Sequence, residues 1–259
     1  MKIDFGLTAQ DYAKHRAGFP DSIYPPLAAH GVGKPGQRIL DLGTGTGTLA
    51  RGFMMRGCRV IGLDPATTML EQASALSRAE RAAPAYLAAR AEQIPITSGV
   101  VDIVTAGQCW HWFDRAAAAN EARRVLRPGG AIVIAHFDWI PLKGNVVELT
   151  EELILARNPH WKFGSGTGLH PRALTDLGEA GFENIRTFSY DTFAPYTHEG
   201  WRGRIRASAG VGASLPEVEV RAFDAELAEL LREKFPDPMP VHHRVWAVVA
   251  QRKIAPDFL

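Results

Sequence analysis

The segment of this sequence best suited to holding a small molecule is residues 39–47, Ile-Leu-Asp-Leu-Gly-Thr-Gly-Thr-Gly. Glycines at alternate positions let the backbone pass close to a ligand, because no Cβ collides with it. The third glycine, Gly47, comes one residue earlier than in the G-x-G-x-x-G turn that holds a pyrophosphate. Asp41 would repel a phosphate, but its carboxylate suits ammonium or hydroxyl donors. A tight strand-to-helix turn without a ligand is the alternative interpretation.

A second acid favours the ligand-binding interpretation. Asp64 ends the next predicted strand, directly before Pro65. A carboxylate at that point can accept hydrogen bonds from both ribose hydroxyls of an adenosine, although an Asp before a proline can also be a plain turn residue. The early third glycine and the two acids together favour S-adenosylmethionine (SAM), which has an amino-acid end, a ribose and no phosphate.

Alternating strands and helices must position these acids. Apolar periodicity and turn residues predict strands over residues 38–42, 59–63, 85–89, 100–106 and 131–135, and helices over 48–56, 67–82 and 116–126. This alternation predicts an α/β fold with a doubly wound parallel sheet, in which ligands bind at the carboxyl ends of strands. The later part of the chain predicts a loop–helix insertion over 136–172, helices over 171–181 and most of 197–234, and strands over 182–193 and 241–249.

Composition narrows the class of protein. The chain has 259 residues, a formal net charge of +1 and 46% hydrophobic residues, which is ordinary for a globular protein and offers no electrostatic case for nucleic acid or membrane binding. Cys58 and Cys109 lack metal-binding spacing, and no metal is expected. No apolar run approaches the ~20 residues of a membrane span, and the N-terminus lacks a signal-peptide pattern. We therefore expect a soluble, cytoplasmic protein.

Several motifs in this order resemble those of the class I SAM-dependent methyltransferases, especially the small-molecule branch that includes ubiquinone-biosynthesis and trans-aconitate methyltransferases. The matching segments are residues 40–47 (LDLGTGTG), Asp64, 91–95 (AEQIP), 108–113 (QCWHWF) and 127–130 (RPGG). Residues 12–20 (YAKHRAGFP) also resemble the arm that closes over the cofactor in this family. We expect the RPGG segment to act only as a helix stop and turn.

The resemblance implies a SAM site that draws on each motif. The glycines would line the methionine part, Asp64 would bind the ribose, and Ala91 and Glu92 would flank the adenine. Arg90 stands where many relatives have an adenine-binding Asp, so Glu92 or water would replace that contact. The expected cofactor-binding residues are Tyr12, Arg16, Asp41, Gly43, Thr44, Gly45, Gly47, Asp64, Pro65, Met69, Ala91, Glu92 and Gln108.

Methyl transfer needs an acceptor held in line with the methyl group and, for some acceptors, removal of a proton. His111, which follows the fourth strand, is the first candidate base, with a packing or positioning role as the alternative. His136, which follows the fifth strand, is the second candidate. The expected substrate-binding residues are Trp110, Trp112, Phe137, Trp139 and Arg206. The aromatic residues could line the substrate site or belong to the core, and the arginine could clamp an anion or lie on a solvated helix face.

We therefore predict a single methyltransferase domain with a Rossmann-like, seven-stranded mixed sheet and a helical cap. Its parts are an N-terminal cap arm (1–35), a SAM-binding core (36–136), late core elements with substrate-cap insertions (137–240), and a final strand and tail (241–259). The expected reaction methylates a small molecule, on oxygen first and on nitrogen or carbon otherwise, and releases S-adenosylhomocysteine. The alternatives are an inactive SAM- or nucleoside-binding regulatory module and an RNA or protein methyltransferase.

Overall fold

The computed structural model describes residues 18–80, 84–162, 164–208, 210–212 and 214–254, and within these ranges the chain packs as two compact units. The core unit comprises residues 18–136, 170–189 and 246–254. The insert unit comprises residues 137–169 and 190–245. The chain leaves the core unit after residue 136 and returns to it over residues 170–189 and 246–254. The predicted division into cap arm, SAM-binding core and late elements stays a prediction. Tyr12 and Arg16 lie outside the described residues.

Strands of the described chain form a single sheet. Their bounds are β1 (Arg38–Leu42), β2 (Arg59–Asp64), β3 (Ala85–Ala88), β4 (Val101–Gly107), β5 (Leu126–Trp139), β6 (Phe182–Tyr196) and β7 (Met239–Arg252). Within the described ranges these seven strands have the order β3-β2-β1-β4-β5-β7-β6. Strands β1 to β5 pair in parallel.

The last strand runs against its neighbours. Arg252, at the end of β7, donates to the carbonyl of Leu126 at the start of β5. Asn184, near the start of β6, donates to Gln251 of β7 at 2.9 Å. Strand β7 is therefore antiparallel to β5 and β6, and the predicted seven-stranded mixed sheet is confirmed.

Helices connect the strands, as predicted from the alternating pattern. Their bounds are α1 (Tyr24–Ala29), α2 (Thr48–Met55), α3 (Thr67–Ala79), α4 (Arg115–Val125), α5 (Val146–Arg157), α6 (Arg172–Glu179), α7 (His198–Arg206) and α8 (Glu217–Lys234). Three begin at a polar N-cap whose side chain accepts from a backbone N–H, namely Asp114, Asn145 and Thr197. Among the helices in the described ranges, none combines the length and the apolar composition that a membrane crossing requires.

The start of β5 corrects one prediction. Residues 127–130 were expected to form a turn, but β5 begins at Leu126 and includes them. The register with β4 shifts between Val101 and Ile103, and Gly129 has a φ of +73°. A bulge of this kind accommodates proline and glycine inside a strand.

The hydrophobic core of the core unit lies between the central strands and helix α4. Leu40, Val104 and Ile132 are fully buried on β1, β4 and β5. Helix α4 faces them with small residues, including the fully buried Ala118 and Ala122. These alanines let the helix pack close to the sheet, which fixes the carboxyl ends of the strands on which the candidate site is built.

Candidate functional site

The parallel register brings the predicted cofactor residues to one edge of the sheet. Asp41 of β1 pairs with Gly62 of β2 and Thr105 of β4, and Gly107 of β4 pairs with Ala135 of β5. The carboxyl ends of these strands therefore lie side by side. The strand order also reverses between β1 and β4, which is where doubly wound sheets bind ligands.

The loop after β1 has a shape that depends on its glycines. Gly43, Gly45 and Gly47 have φ values of +56°, +55° and +79°, in the left-handed region that other residues rarely adopt. The amide of Thr44 donates to the carbonyl of Leu63 at 2.9 Å, and the amide of Gly47 donates to the carbonyl of Thr44 at 2.8 Å. The first bond ties the loop to β2, and the second lies within the loop, so protein hydrogen bonds fix the loop's shape.

Gly43 is also required by close packing. A Cβ added at this position would lie 2.9 Å from Sγ of Cys109 and 3.0 Å from Cζ of Phe113. Cys109 is itself held against β1, because its thiol donates to the carbonyl of Leu42 at 3.2 Å. The segment after β4 thus packs directly on the glycine loop.

Gly43→Ala is expected to lower the free energy of unfolding by about 2–4 kcal/mol, which combines the cost of a left-handed L-residue with that of overpacking. Gly36→Ala is the matched control, because Gly36 has a φ of +85° and, among the described residues, no atom within 4 Å of an added Cβ. The control should lose only the backbone cost, about 1–2 kcal/mol. Urea unfolding followed by circular dichroism measures both values, and equal losses would contradict the packing argument.

Asp41 lies beneath the loop and is only 2% exposed. Its Oδ2 accepts from the hydroxyl of Thr44 and its Oδ1 from the hydroxyl of Thr105, both at 2.6 Å. Burial raises the pKa of Asp41 to about 6, although the two hydroxyl bonds oppose this rise. The carboxylate therefore links the glycine loop to β4. Its expected role in cofactor binding stays a prediction.

The buried Asp41 is expected to make stability fall as pH rises from about 4 to about 6. Its pKa is higher in the folded chain, so the unfolded chain releases the proton first and rising pH favours unfolding. The contribution is on the order of 3 kcal/mol. Urea unfolding of Asp41→Asn and wild type at several pH values should show a difference that changes across this window. A pH-independent difference would contradict the assignment.

Asp64 fixes the other side of the loop. Its Oδ2 accepts from the amide of Gly45 and its Oδ1 from the amide of Ala66, both at 2.9 Å. Burial raises the pKa of this carboxyl, while the two backbone bonds lower it. The carboxylate is thus held between the glycine loop and the start of α3, and both oxygens retain lone pairs for further donors. Met69 of α3 is buried beside the loop, whereas Pro65 is exposed.

The segment predicted to flank adenine is ordered by contacts with the region of α4. Ala91 is buried. Glu92 accepts from the amide of Asp114 at 3.0 Å, and its carboxylate lies 3.4 Å from Nε of Arg90. The amide of Ile94 donates to Glu121 of α4 at 2.8 Å. These bonds position the Ala91–Glu92 pair near the ends of β3 and β4, and its role toward adenine stays a prediction.

Gln108 has the backbone conformation that most suggests function. Its φ is +62°, which is uncommon for a residue other than glycine, and its amide donates to the carbonyl of Ala135 at 2.9 Å. Such conformations cluster at binding sites, where the surrounding structure holds them. The family resemblance predicts Gln108 beside the cofactor, but its strained backbone follows only from the pairing of β4 with β5.

The aromatic motif after β4 divides between core and surface. Trp110 is buried, and its indole N–H donates to Asp176 of α6 at 2.9 Å, so the core interpretation fits this residue. His111 is exposed and Trp112 is 44% exposed. The His111 ring lies 4.6 Å from the ring of Trp112 and 6.0 Å from that of His136. The first candidate base thus stands at the surface of the core unit beside the second.

His136 has a neighbour that sequence spacing did not predict. His136 is buried at the carboxyl end of the core-unit part of β5, and its ring stacks on His170 with centroids 3.4 Å apart. Both rings lie beside Trp246 of β7, at 6.1 and 5.4 Å. His170 is remote in sequence and follows no motif, so only the return of the chain to the core unit before α6 brings it here.

The predicted substrate residues of the insert unit belong to an aromatic cluster. Phe137 stacks on His243 at 4.5 Å, and burial lowers the pKa of His243 to about 4. Trp139 packs edge-on against the fully buried Trp201 at 5.3 Å. The indole N–H of Trp139 donates to Glu151 at 3.0 Å. Whether these rings also contact a substrate stays a prediction.

Arg206 forms ion pairs with one acid of its own helix and one of α8. Its guanidinium donates to Asp224 at 2.7 Å and to Glu199 at 2.8 Å. Arg202 bonds to the same Asp224. Residues four apart share a helix face, so Arg202 and Arg206 turn together toward α8. Arg204, which lies between them, instead places its guanidinium 4.7 Å over the ring of Trp139.

Comparison with known proteins agrees with this architecture. Residues 40–134 match the family model described as "Methyltransferase domain". An uncharacterized methyltransferase of Mycobacterium bovis is 37% identical over 157 residues, which cover 57% of this chain and 60% of that protein. The malonyl-(acyl-carrier protein) O-methyltransferase of Serratia marcescens is 39% identical over 110 residues, which cover 42% of each chain. The matches to these two curated relatives thus span between 42% and 60% of the relatives' length.

A solved structure shares the fold over nearly the whole chain. Phosphoethanolamine N-methyltransferase 2 of Haemonchus contortus, in complex with phosphomonomethylethanolamine and S-adenosylhomocysteine, superposes with a TM-score of 0.56 at 20% identity. The match covers 96% of this chain and 57% of that chain. Residues 40–134 are therefore a methyltransferase domain, and this match and the curated relatives support the resemblance of the sequence to the class I SAM-dependent methyltransferases. The solved structure shows the shared fold.

Proposed function

We propose that this protein binds SAM at the carboxyl edge of its sheet and methylates an oxygen atom of a small molecule. The observation that carries this proposal is the position of Asp64. Its carboxylate ends β2 and is held by the amides of Gly45 and Ala66, beside the point where the strand order reverses. A carboxylate fixed there is suited to accept from a ribose diol.

The residues around the loop fit SAM better than a phosphate ligand. The two carboxylates at the loop, Asp41 and Asp64, suit hydroxyl and ammonium donors and repel a phosphate. Arg51, the cation beside the loop, is ion-paired with Glu80 at 2.9 Å and also donates to the carbonyl of Thr46. SAM would be held by the glycine loop, by Asp64 and by the Ala91–Glu92 pair.

The remaining residues supply orientation and proton transfer. Bound SAM supplies a sulfonium-activated methyl group. His111 accepts the proton of an acceptor hydroxyl on its imidazole, which raises the nucleophilicity of the oxygen. His136 is the second candidate for this role. Gln108, whose backbone φ is positive, lies beside the cofactor in this proposal. Trp112 offers an exposed aromatic face that favours cationic groups.

One observation supports an oxygen nucleophile, and a second counts against a nucleic acid acceptor. The Serratia marcescens relative is by name an O-methyltransferase. Because it is 39% identical over 110 residues, we propose the same chemistry for the present chain. The formal net charge of +1 gives no electrostatic basis for nucleic acid binding.

The proposal is tested by titrating the full chain with SAM and then measuring S-adenosylhomocysteine release over a panel of hydroxy acids, phenols, carboxylic acids and amines. We expect SAM binding, and release with at least one oxygen acceptor. Tight SAM binding without release on any compound would favour a regulatory module. Salt-sensitive binding of RNA would favour an RNA methyltransferase.

A further inference from the structure

A cavity of about 470 Å³ at the amino edge of the sheet has four cations in its wall. The wall comes from α4, the residue before β6 and the end of β7, and is formed by Asn120, Arg123, Arg124, Gly181, Arg252 and Lys253. All of these residues belong to the core unit. Leu126, which accepts from Arg252, is the first residue of β5 and pairs with the first residue of β4. The cavity is therefore separate from the carboxyl edge, where SAM is proposed to bind.

Arg123 contributes an exposed charge to this cavity. It stands in the last turn of α4, and no carboxylate in the described ranges lies within ion-pair distance of it. Its guanidinium passes close over Gly181, since a Cβ added at that glycine would lie 3.0 Å from Nη1 of Arg123. The absence of a side chain at Gly181 thus makes room for an uncompensated cation at the cavity wall.

Arg252 contributes a second charge, and its position is fixed by the backbone. Its Nη1 donates to the carbonyl of Arg124 at 3.3 Å and also to the carbonyl of Leu126. These neutral acceptors orient the guanidinium but do not cancel its charge. Within the part of the chain that the structure describes, Arg252 has no carboxylate partner, and its Nε and Nη2 have no acceptor. Their N–H groups can therefore donate to a ligand.

The other two cations of the wall have carboxylate partners. Nε of Arg124 bonds to Glu121 at 2.7 Å, and its Nη2 donates to the carbonyl of Ile94 at 2.7 Å. Lys253 lies 3.3 Å from Glu183, but the two side chains are 64% and 50% exposed. Exposed ion pairs of this kind are weak, so Lys253 can exchange its partner for a ligand. Four cations and two carboxylates give the wall a net charge of +2.

We propose that this cavity binds the phosphate group of a small phosphorylated molecule. A phosphate monoester carries a charge of about −1.5 to −2 near neutral pH, which matches the wall more closely than a single carboxylate does. Its terminal oxygens accept from several guanidinium and ammonium donors at once. Cavities that hold small ligands measure roughly 300–1,000 Å³, so this one also has room for an organic part. Phosphate binding here does not depend on the methyltransferase function.

The test is calorimetric titration of the full chain with phenyl phosphate, glycerol phosphate and cytidine monophosphate, each paired with its dephosphorylated form, and with inorganic phosphate and malonate. Wild type should bind at least one ester about tenfold or more tightly than its dephosphorylated form, as expected for charge-assisted hydrogen bonds. Arg123→Gln should lower the affinity for that ester about tenfold, and Arg123→Lys should retain part of it. Arg78→Gln is the matched control, because it removes an exposed arginine from the last turn of α3 and should bind as wild type does.

Each of the following results would overturn the proposal: no ester preferred over its dephosphorylated form, displacement of the ester by excess SAM, or tighter binding of inorganic phosphate or malonate than of every ester. Salt-sensitive binding of an RNA oligonucleotide that exceeds the binding of every ester would also overturn it, in favour of nucleic acid. Melting curves show whether each variant is folded. A merely structural Arg123 would lower the melting temperature of Arg123→Gln and leave the ester affinity unchanged, which would equally contradict phosphate binding.

Discussion

Asp64→Ala is expected to weaken SAM binding about 100-fold, because two hydrogen bonds from a ribose diol to a carboxylate together contribute roughly 3 kcal/mol or more. The substitution also removes the acceptors of the Gly45 and Ala66 amides, so the glycine loop loses one of its connections to the end of β2. Calorimetric titration of the full chain with SAM measures the effect directly.

Two further variants separate the ribose contact from folding. Asp64→Asn keeps one oxygen acceptor without the charge, so its SAM affinity should fall between those of wild type and Asp64→Ala. Glu71→Ala removes an exposed acid of α3 and should bind SAM as wild type does. Melting curves confirm that each variant is folded. An unchanged affinity in folded Asp64→Ala would remove the ribose assignment.

His111→Ala is expected to lower turnover about 100-fold or more, the usual contribution of a general base, while SAM affinity stays nearly unchanged. His111 is exposed after β4, so its removal leaves the glycine loop and Asp64 intact. Single-turnover release of S-adenosylhomocysteine, measured with the acceptor found in the panel, gives the rate of the chemical step.

His160→Ala removes an exposed histidine of the insert unit and serves as the matched control for His111→Ala. Full activity in His111→Ala would exclude His111 as the base. If His136→Ala then loses activity while its melting temperature is retained, the role passes to His136. The melting temperature is decisive for that variant, because His136 is buried and stacked on His170.

Features that depend only on residues close together in the sequence could be predicted from it. The strand predicted over residues 38–42 has those bounds in the structure, and the next strand differs only by including Asp64. Both follow from an apolar run that ends at a turn, which is a local signal. The acids and glycines at the strand ends then converge because parallel strands share a carboxyl edge. The fold, and the convergence of these residues at one edge of the sheet, were therefore predictable.

Other features depend on residues that are distant in sequence. The motif RPGG predicts a turn, but it is part of β5 and forms a bulge in the pairing with β4. His136 meets His170 because the chain returns to the core unit before α6. In both cases the deciding partner lies far along the chain, where local spacing carries no information.

The sequence by itself determined the family, the sheet and the edge where SAM is proposed to bind, because glycine turns, acids at strand ends and apolar periodicity act over a few residues. Only the tertiary structure decided the state of the arginines on α7. Their spacing divides them between helix faces, but the ion pair of Arg206 depends on Asp224 of α8. The cation–π contact of the Arg204 guanidinium depends on the ring of Trp139 in β5. Charge compensation is a property of contacts, and those contacts exist only after the chain has folded.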